Sequence, residues 1–354
     1  MTSPLYTDTE TFAKRLKQAR IAAGLSMEAL CARMGGSVSK QAISKFESGA
    51  ISPSEATKNT LAVALGRDRE YFTRPFTFDI DGMEISFRKK ASLRKKDEAA
   101  IKIRIQGEIE RYLEIEEILG MSKVPSFTPP YRSVSSKEDA RECARSLRAQ
   151  WGLGTAAISN VSKVLEDNGV KVIRTDAPSG FDGLSGVVNG KHYIIVLNKS
   201  MTHCERNRFT QLHELGHLLM NRMMAPGTKP SKGEKLCHAF ASEMLLPSEK
   251  LPVSTPSNVR MLPLQLLPLQ QEFGISIDAI VSEMKDQGII SYEKSTAYWK
   301  AKSRTEFKQF TEESRFSEVH IDRYQALVHT ALTLRLITRF KAESLLGEDS
   351  MLQI

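Results

Sequence analysis

The pattern His-Glu-x-x-His in FTQLHELGHLL, residues 209–219, has the spacing of a metal site. Residues four apart lie on one face of an α-helix, so His213 and His217 can direct both imidazoles at a single ion. Glu214 projects beside them and can take a proton from water. The surrounding leucines predict that this helix packs against an apolar core, and Gly216 allows another backbone to approach closely. The alternative is an amphipathic helix with two partly exposed histidines.

A catalytic zinc site has three protein ligands and an open position for water. The next helical segment, KGEKLCHAFASEMLLP, places Glu234 and His238 four residues apart on one face. We predict a Zn²⁺ site in which Glu234 joins the two histidines, with His238 as a hydrogen-bond partner of a ligand imidazole or a group that faces the substrate. Glu243 is the competing ligand, or else an acceptor of a structural hydrogen bond. Cys237 is predicted to be a core residue.

The segments RFTQLHELGHLL and EKLCHAFASEMLLP resemble the ImmA/IrrE family of zinc metallopeptidases. Its members share an Arg-Phe-Thr lead-in, the HExxH helix and a second helix that begins with glutamate and contains Phe-Ala-x-Glu-Leu-Leu-x-Pro. The resemblance implies an α+β zincin-like metallopeptidase domain, with Glu234 as the third ligand. Where the family usually has asparagine, this chain has His238. The resemblance also implies that the hairpin of residues 183–198 forms an edge that pairs with an extended substrate.

A second pattern lies near the N-terminus, where residues 8–75 contain short helical segments separated by glycine-containing turns. Ser26 is a candidate cap for one helix, and Ser37 or Ser39 for the next. Gly35-Gly36 supplies the turn of a helix-turn-helix. The predicted shared core consists of Leu16, Ile21, Leu25, Leu30, Met34, Ile43, Phe46, Leu61 and Leu65.

Residues 12–66 resemble the Cro/repressor-type (XRE) helix-turn-helix family over their whole length, although Met27 stands where the family commonly has glutamine. In that fold the second helix of the motif enters the major groove of double-stranded DNA by its N-terminal end. The resemblance implies DNA contacts by Ser39, Lys40, Gln41, Ser44 and Lys45. Glutamine suits adenine, and lysine suits phosphates or guanine. Single modules bind weakly, so a homodimer on a two-fold operator is also implied. The alternative is a helical protein-interaction module.

The composition fits a soluble globular protein, with 26% charged and 41% hydrophobic residues. A length of 354 residues predicts two or three compact units. The four scattered cysteines argue against a disulfide framework and a cysteine zinc ribbon. The net charge of +8 favours contact with a polyanion. Neither a signal segment nor a membrane-spanning apolar run is recognisable, so we expect a cytoplasmic protein with no membrane contact.

Between the two motifs lie a strand-like stretch at 76–89, a basic cluster at 88–96 and a long helix with an apolar stripe. We expect the stripe to pack on a neighbouring domain, with a dimer contact as the alternative. A Pro/Ser-rich hinge at 122–136 precedes three Val/Ile-rich runs, VKVIRT, LSGVVN and KHYIIVLN. The last two are joined by Asn189-Gly190, which predicts a hairpin.

The predicted fold is therefore multidomain. An all-α helix-turn-helix domain precedes an α+β zincin-like metallopeptidase domain and a helical C-terminal region. The predicted bounds are 8–75 for the DNA-binding domain, 76–130 for a basic linker with a long helix, 131–252 for the metallopeptidase domain and 253–354 for the helical C-terminal domain.

The arrangement resembles fused regulator-peptidases of the ImmA/IrrE group, whose members cleave partner repressors and so release stress or mobile-element genes. That resemblance implies a DNA-binding transcriptional regulator with zinc-dependent endopeptidase activity. Its expected substrate is a repressor or an antitoxin-like regulator. The alternative is a non-catalytic DNA-binding regulator or antitoxin, whose zincin-like domain senses a ligand or holds a partner.

Overall fold

The computed structural model describes residues 6–76, 95–121, 133–178, 180–188, 190–220, 223–224, 227–318 and 322–346. A helical N-terminal region is followed by a small α+β domain with a mixed sheet and then by further helices, which confirms the predicted fold class. The predicted strand-like stretch and basic cluster fall largely on residues 77–94, and most of the hinge on residues 122–132. Those segments lie outside the described residues.

The N-terminal region consists of α1 (Asp8–Ala22), α2 (Met27–Arg33), α3 (Lys40–Glu47), α4 (Glu55–Leu65) and α5 (Glu70–Thr73). The hydroxyl oxygen of Ser26 accepts a backbone hydrogen bond at the start of α2, and that of Ser39 does so at the start of α3. Ser39, and not Ser37, is therefore the second cap. The Gly35-Gly36 turn has φ values of 68° and 72°, a left-handed conformation that favours glycine.

The N-terminal helices enclose a hydrophobic core of their own. Leu16, Leu30, Ile43 and Leu61 are fully buried in it, and the other predicted core residues join the cluster except Ile21. This core holds the turn between α2 and α3 in place, so that the outer surface of α3 is left for other contacts.

The next elements are α6 (Lys95–Ile118), α7 (Lys137–Gln150), α8 (Val161–Asp167), β1 (Val170–Thr175), β2 (Gly183–Val188), β3 (His192–Asn198), α9 (Cys204–Met220) and α10 (Pro230–Leu245). Two 3₁₀ turns, Ser248–Lys250 and Val259–Met261, lead into α11 (Leu262–Phe273), α12 (Ile277–Asp286), α13 (Tyr292–Lys302), α14 (Thr305–Glu312), α15 (Arg323–Thr333) and α16 (Arg339–Leu346). Helices α11 to α13 bury residues in the same core as α7 to α10. Within the described residues, no helix is both long and apolar enough to span a bilayer.

The sheet has the strand order β1-β3-β2, with β1 parallel and β2 antiparallel to β3. Successive residues of β3 point to opposite faces. Ile195 and Leu197 join the core that contains α9 and α10, whereas Ile194 and Val196 join a second core with α6, α15 and α16. The sheet is therefore covered by helices on both faces.

The predicted hairpin between β2 and β3 is confirmed by antiparallel pairing that places Val188 opposite His192. Gly190 in its turn has a φ of 68°, which suits glycine. Asn189 lies outside the described residues. Because β2 is last in the strand order, it forms one edge of the sheet.

The apolar stripe of α6 packs against the sheet and against α15. Ile105, Ile109 and Tyr112 are buried there beside Ile173 and Val328. The predicted packing on a neighbouring domain is therefore confirmed, and the stripe is covered within one chain.

Candidate metal centre and DNA-contacting helix

The His-Glu-x-x-His residues lie in the second half of α9. The Nε2 atoms of His213 and His217 are 3.0 Å apart, because residues four apart stack on one helix face. His217 is buried and His213 is half-buried, so both imidazoles point into the protein towards α10. Gly216 permits this: a Cβ atom there would lie 3.2 Å from Phe240 Cδ1 and 3.3 Å from Cys237 Cβ. The close approach predicted at Gly216 is therefore present.

Helix α10 brings Glu234 to the two histidines. One carboxylate oxygen lies 3.1 Å from His213 Nε2, and the other lies 3.6 Å from His217 Nε2. Hydrogen bonds from His213 and then His217 hold the pKa of Glu234 well below its usual value. The carboxylate is therefore ionised, as a metal ligand must be.

The donor atoms of His213, His217 and Glu234 fit a zinc ion. Ligand atoms about 2.0–2.1 Å from a tetrahedral ion lie about 3.3 Å from one another. In this structure the Nε2 atoms of the two histidines are 3.0 Å apart, and one oxygen of Glu234 lies 3.1 Å from His213 Nε2 while its other oxygen lies 3.6 Å from His217 Nε2. Two imidazoles and one carboxylate also form a donor set that is typical of zinc hydrolases.

Glu214 lies beside this cluster and is directed towards the sheet. It is 9% exposed, and its Oε2 accepts a 2.8 Å hydrogen bond from the hydroxyl of Ser185 on β2. One of its carboxylate oxygens lies within 4.8 Å of a ring nitrogen of His213 and of a ring nitrogen of His217. A carboxylate in this position is close enough to take part in proton transfer at an ion held by the histidines.

His238, one turn beyond Glu234, has its ring edge-on to His213 with 4.7 Å between centroids. It lines a cavity of about 810 Å³ between α9, α10, α12 and α14, to which Phe209 also contributes. Burial, and then the nearby His213, lower the pKa of His238. One of its ring nitrogens also lies within 4.8 Å of ligand atoms of His213 and Glu234, so the position leaves open both contact with a bound molecule and contact with the metal centre.

Glu243 lies nine residues after Glu234, or about 13 Å along the axis of α10. Its carboxylate is 1% exposed and accepts hydrogen bonds from the backbone N–H and the hydroxyl of Ser248. Arg145 is 3.6 Å away. Glu243 therefore accepts structural hydrogen bonds at the end of α10. This is the second of the two roles that the sequence predicted for it.

The residues predicted to contact DNA form one surface at the start of α3. They are all exposed: Ser39, Lys40, Gln41, Ser44 and Lys45. The ammonium group of Lys40 is engaged by Glu28 of α2 at 2.5 Å. This ion pair lowers the pKa of Glu28 to about 2, so Glu28 is ionised at neutral pH. A carboxylate beside the predicted phosphate contact was not expected from the sequence.

Comparisons with known families agree with both motifs. Residues 16–72 match the helix-turn-helix family, and residues 165–285 match the IrrE N-terminal-like domain family. The chain joins a helix-turn-helix domain to an IrrE N-terminal-like domain. No curated protein matches the sequence significantly.

The match to the IrrE N-terminal-like domain covers β1 to β3, both metal-site helices and almost all of α12. The cavity beside His238 is therefore formed largely within this domain. The lining outside the matched residues comes from Lys137 at the start of α7, from Asp286 at the end of α12 and from α14, which includes Glu312.

Sequence reasoning missed two residues of the IrrE N-terminal-like domain. One is Ser185, which holds Glu214 from the neighbouring strand. The other is Cys237, predicted only as a core residue, whose sulfur lies 2.8 Å from Nδ1 of His217. The only signals in the sequence are a serine within an otherwise apolar strand and a cysteine three residues after Glu234, and neither identifies its contact partner.

Proposed function

We propose that this chain is a DNA-binding transcriptional regulator with zinc-dependent endopeptidase activity. The match to the helix-turn-helix family supports DNA binding, and the match to the IrrE N-terminal-like domain supports a metallopeptidase class. One observation carries the enzymatic part of the proposal. Glu214 lies beside the His213, His217 and Glu234 triangle and is held there by a side chain from the edge strand.

The edge strand also supports a peptide substrate. The backbone N–H of Asn198 donates to the carbonyl of Asp182 at 3.0 Å, so alternate residues of β2 direct their backbone groups at β3. By this alternation, the open edge of the sheet presents the backbone N–H and C=O groups of Gly183, Ser185 and Val187. An extended peptide paired there would lie next to Glu214, because the Ser185 side chain reaches that carboxylate.

Zinc, when bound by His213, His217 and Glu234, supplies a Lewis acid that polarises the scissile carbonyl and makes water more acidic. Glu214 accepts the proton of the attacking water and delivers it to the leaving amine. Ser185 holds one oxygen of Glu214, which fixes the orientation of the carboxylate during both transfers.

His238 is the group that we assign to substrate contact. Its imidazole is beside His213 and opens into the cavity. Two other side chains near the site could donate a hydrogen bond to a substrate: His203 lines the same cavity, whereas Tyr193, on β3, packs against the core that contains α9 and α10. A donor on this wall can bind a carbonyl oxygen of the peptide.

The substrate that we propose is a partner repressor or an antitoxin-like regulator in the cytoplasm. A peptidase joined to a DNA-binding domain has a high local concentration near repressors bound to the same operator. Specific operator binding by a domain of this size favours a homodimer. Cleavage of such a partner would release the genes that it represses.

Metal analysis tests the site. We expect about one zinc per chain in the purified protein, and loss of that zinc in the His213→Ala and Glu234→Ala variants. Glu243→Ala is the matched control on α10 and should keep its zinc. Zinc retained in Glu234→Ala and lost in Glu243→Ala would transfer the ligand role to Glu243.

Peptide hydrolysis tests the reaction. The wild-type protein should cleave members of a mixed peptide library in a manner that a zinc chelator blocks. Glu214→Gln should bind zinc normally yet show no cleavage, since an amide cannot accept the proton. A wild-type protein that binds zinc and cleaves neither peptides nor candidate repressors would favour the non-catalytic regulator.

A further inference from the structure

The inner nitrogen of His217 faces a sulfur atom. Cys237 Sγ lies 2.8 Å from His217 Nδ1, and the cysteine is fully buried where α10 crosses α9. Metal-binding imidazoles usually donate this N–H to a carboxylate, a backbone carbonyl or water. In this site a cysteine sulfur takes the place of that hydrogen-bond acceptor.

The contact determines where His217 carries its proton. A neutral imidazole has one N–H and one lone pair, on different nitrogens. The Nε2 atom of His217 faces His213 and Glu234, so Nε2 needs the lone pair to bind an ion. Nδ1 then carries the hydrogen and donates it to Cys237 Sγ, which accepts weakly.

The two histidines differ in this respect. Nδ1 of His213 is buried, and no hydrogen-bond partner for it lies within reach among the described residues. The ring of His213 instead packs against the rings of Phe209 and His238. A directional hydrogen bond on the inner nitrogen is therefore seen for His217 and not for His213.

Cys237 lies where α9 and α10 are in close contact. The Cβ atom of Cys237 would lie 3.3 Å from a Cβ built on Gly216, so the two helices are in close contact at this point. Cys237 is fully buried at this crossing, so a longer side chain with a carboxylate would overpack it. Cysteine is small enough to fit there and still offers an acceptor atom.

We propose that Cys237 is a positioning residue of the metal centre, which holds His217 in the tautomer and orientation that bind zinc. The inference rests on the proposed zinc site and adds a residue to it. Loss of such a hydrogen bond typically weakens metal binding about 10- to 100-fold. Zinc affinity should therefore depend on an acceptor atom at position 237 more than on the bulk of the side chain.

The experiment measures zinc dissociation constants of the full-length protein by competition with a chromophoric chelator. Cys237→Ala should bind zinc about 10- to 100-fold more weakly than the wild type, yet still reach one zinc per chain when zinc is saturating. Cys237→Ser, which keeps an acceptor, should stay within about threefold of the wild type. Cys143→Ala is the matched control, because Cys143 is equally buried in the same core. It should leave zinc affinity unchanged.

The other possible results of these affinity measurements contradict either the role of Cys237 or the zinc site itself. If Cys237→Ala binds zinc as tightly as the wild type, Cys237 does not position His217. If the serine variant is as weak as the alanine variant, or if Cys143→Ala is equally weak, packing and not the acceptor controls affinity, and the inference fails. If the wild type binds no zinc at all, the proposed metal site itself is wrong. Should Cys237→Ala not fold, Cys237→Val, which fills the space without an acceptor atom, takes its place, and full zinc affinity in that variant would overturn the inference.

Discussion

The guanidinium group of Arg15, on α1 of the helix-turn-helix domain, donates hydrogen bonds of 2.6 and 2.5 Å to the two carboxylate oxygens of Glu110 on α6. The side chains are 2% and 6% exposed. Arg15 also donates to the backbone carbonyls of Arg74 and Pro75, both at 3.1 Å. Because α6 packs on the sheet, this ion pair connects the DNA-binding domain to the domain that carries the metal site.

Replacement of Glu110 should destabilise this connection strongly. Glu110→Ala leaves the Arg15 charge buried and unpaired, which costs about 3–5 kcal/mol in comparable buried pairs. We expect a large fall in the denaturant midpoint of the N-terminal helices. Replacing both residues by apolar ones, Arg15→Met with Glu110→Leu, should recover most of it. Glu55→Ala is the control, because Glu55 forms its ion pairs on the surface. A fall in the denaturant midpoint as large as that of Glu110→Ala would show that burial of the ion pair is not the cause.

A second buried carboxylate predicts a pH dependence of stability. Glu166 on α8 accepts hydrogen bonds from the hydroxyl of Tyr112 and the backbone N–H of Val172, with Arg323 3.3 Å away. Burial raises its pKa to about 7, well above the value of about 4.3 in an unfolded chain. The folded protein therefore keeps a proton on Glu166 that the unfolded chain releases.

The contribution of Glu166 to stability should be complete below about pH 4 and should be lost as the pH rises towards 7. Its full range is about 4 kcal/mol. Glu166→Gln cannot titrate, so its melting temperature relative to the wild type should rise between pH 5 and 7.5. Melting curves of both proteins across this pH range measure the difference between their melting temperatures. The effects of all other titrating groups cancel in that difference, because both proteins contain them. A constant difference would mean that Glu166 titrates normally.

Local sequence patterns were sufficient to place much of the site. The four-residue spacings predicted that His213 lies beside His217 and that Glu234 shares one face of α10 with His238, because a helix repeats every 3.6 residues. The Gly35-Gly36 turn and the two candidate caps, Ser37 and Ser39, likewise placed the start of α3 to within two residues. These features depend on residues close together in the chain.

The contacts of Ser185 and Cys237 could not be predicted in the same way. Each depends on how one element packs against another: β2 beside α9 for Ser185, and α10 across α9 for Cys237. The second crossing is possible only because Gly216 lacks a side chain, and its exact register is a property of the packed core. The Glu28 to Lys40 ion pair also joins two helices and depends on the angle of the turn between them.

That ion pair predicts that Glu28 weakens DNA binding. Both side chains are more than half exposed, and Lys40 is the residue expected to contact phosphate. A phosphate near Lys40 would also lie near the Glu28 carboxylate, which repels it. Glu28→Gln should therefore tighten binding to duplex DNA on the order of threefold at low salt, an effect that fades as salt is raised. Fluorescence anisotropy of labelled duplexes at several salt concentrations measures both the DNA affinity and its dependence on salt.

Two controls separate this effect from others. Glu70→Gln makes the same change in net charge on α5 and should leave DNA binding nearly unaltered. Gln41→Ala should reduce the preference for operator over random DNA, since glutamine pairs with adenine edges and not with phosphates. If Glu70→Gln tightens binding as much as Glu28→Gln does, the effect comes from net charge alone.

The last prediction concerns cooperation between the two domains in regulation. If tethering to DNA selects the substrate, cleavage of an operator-bound partner should need both the peptidase and the DNA contacts. Lys40→Ala combined with Lys45→Ala should leave cleavage of a free peptide unchanged and slow cleavage of a candidate repressor on its operator. Glu214→Gln should keep zinc and DNA binding but fail to cleave. The assay follows repressor cleavage and promoter release with and without operator DNA. Release of the promoter by Glu214→Gln as effectively as by the wild type would mean that regulation does not pass through proteolysis, because the only property lost in that variant is proton transfer.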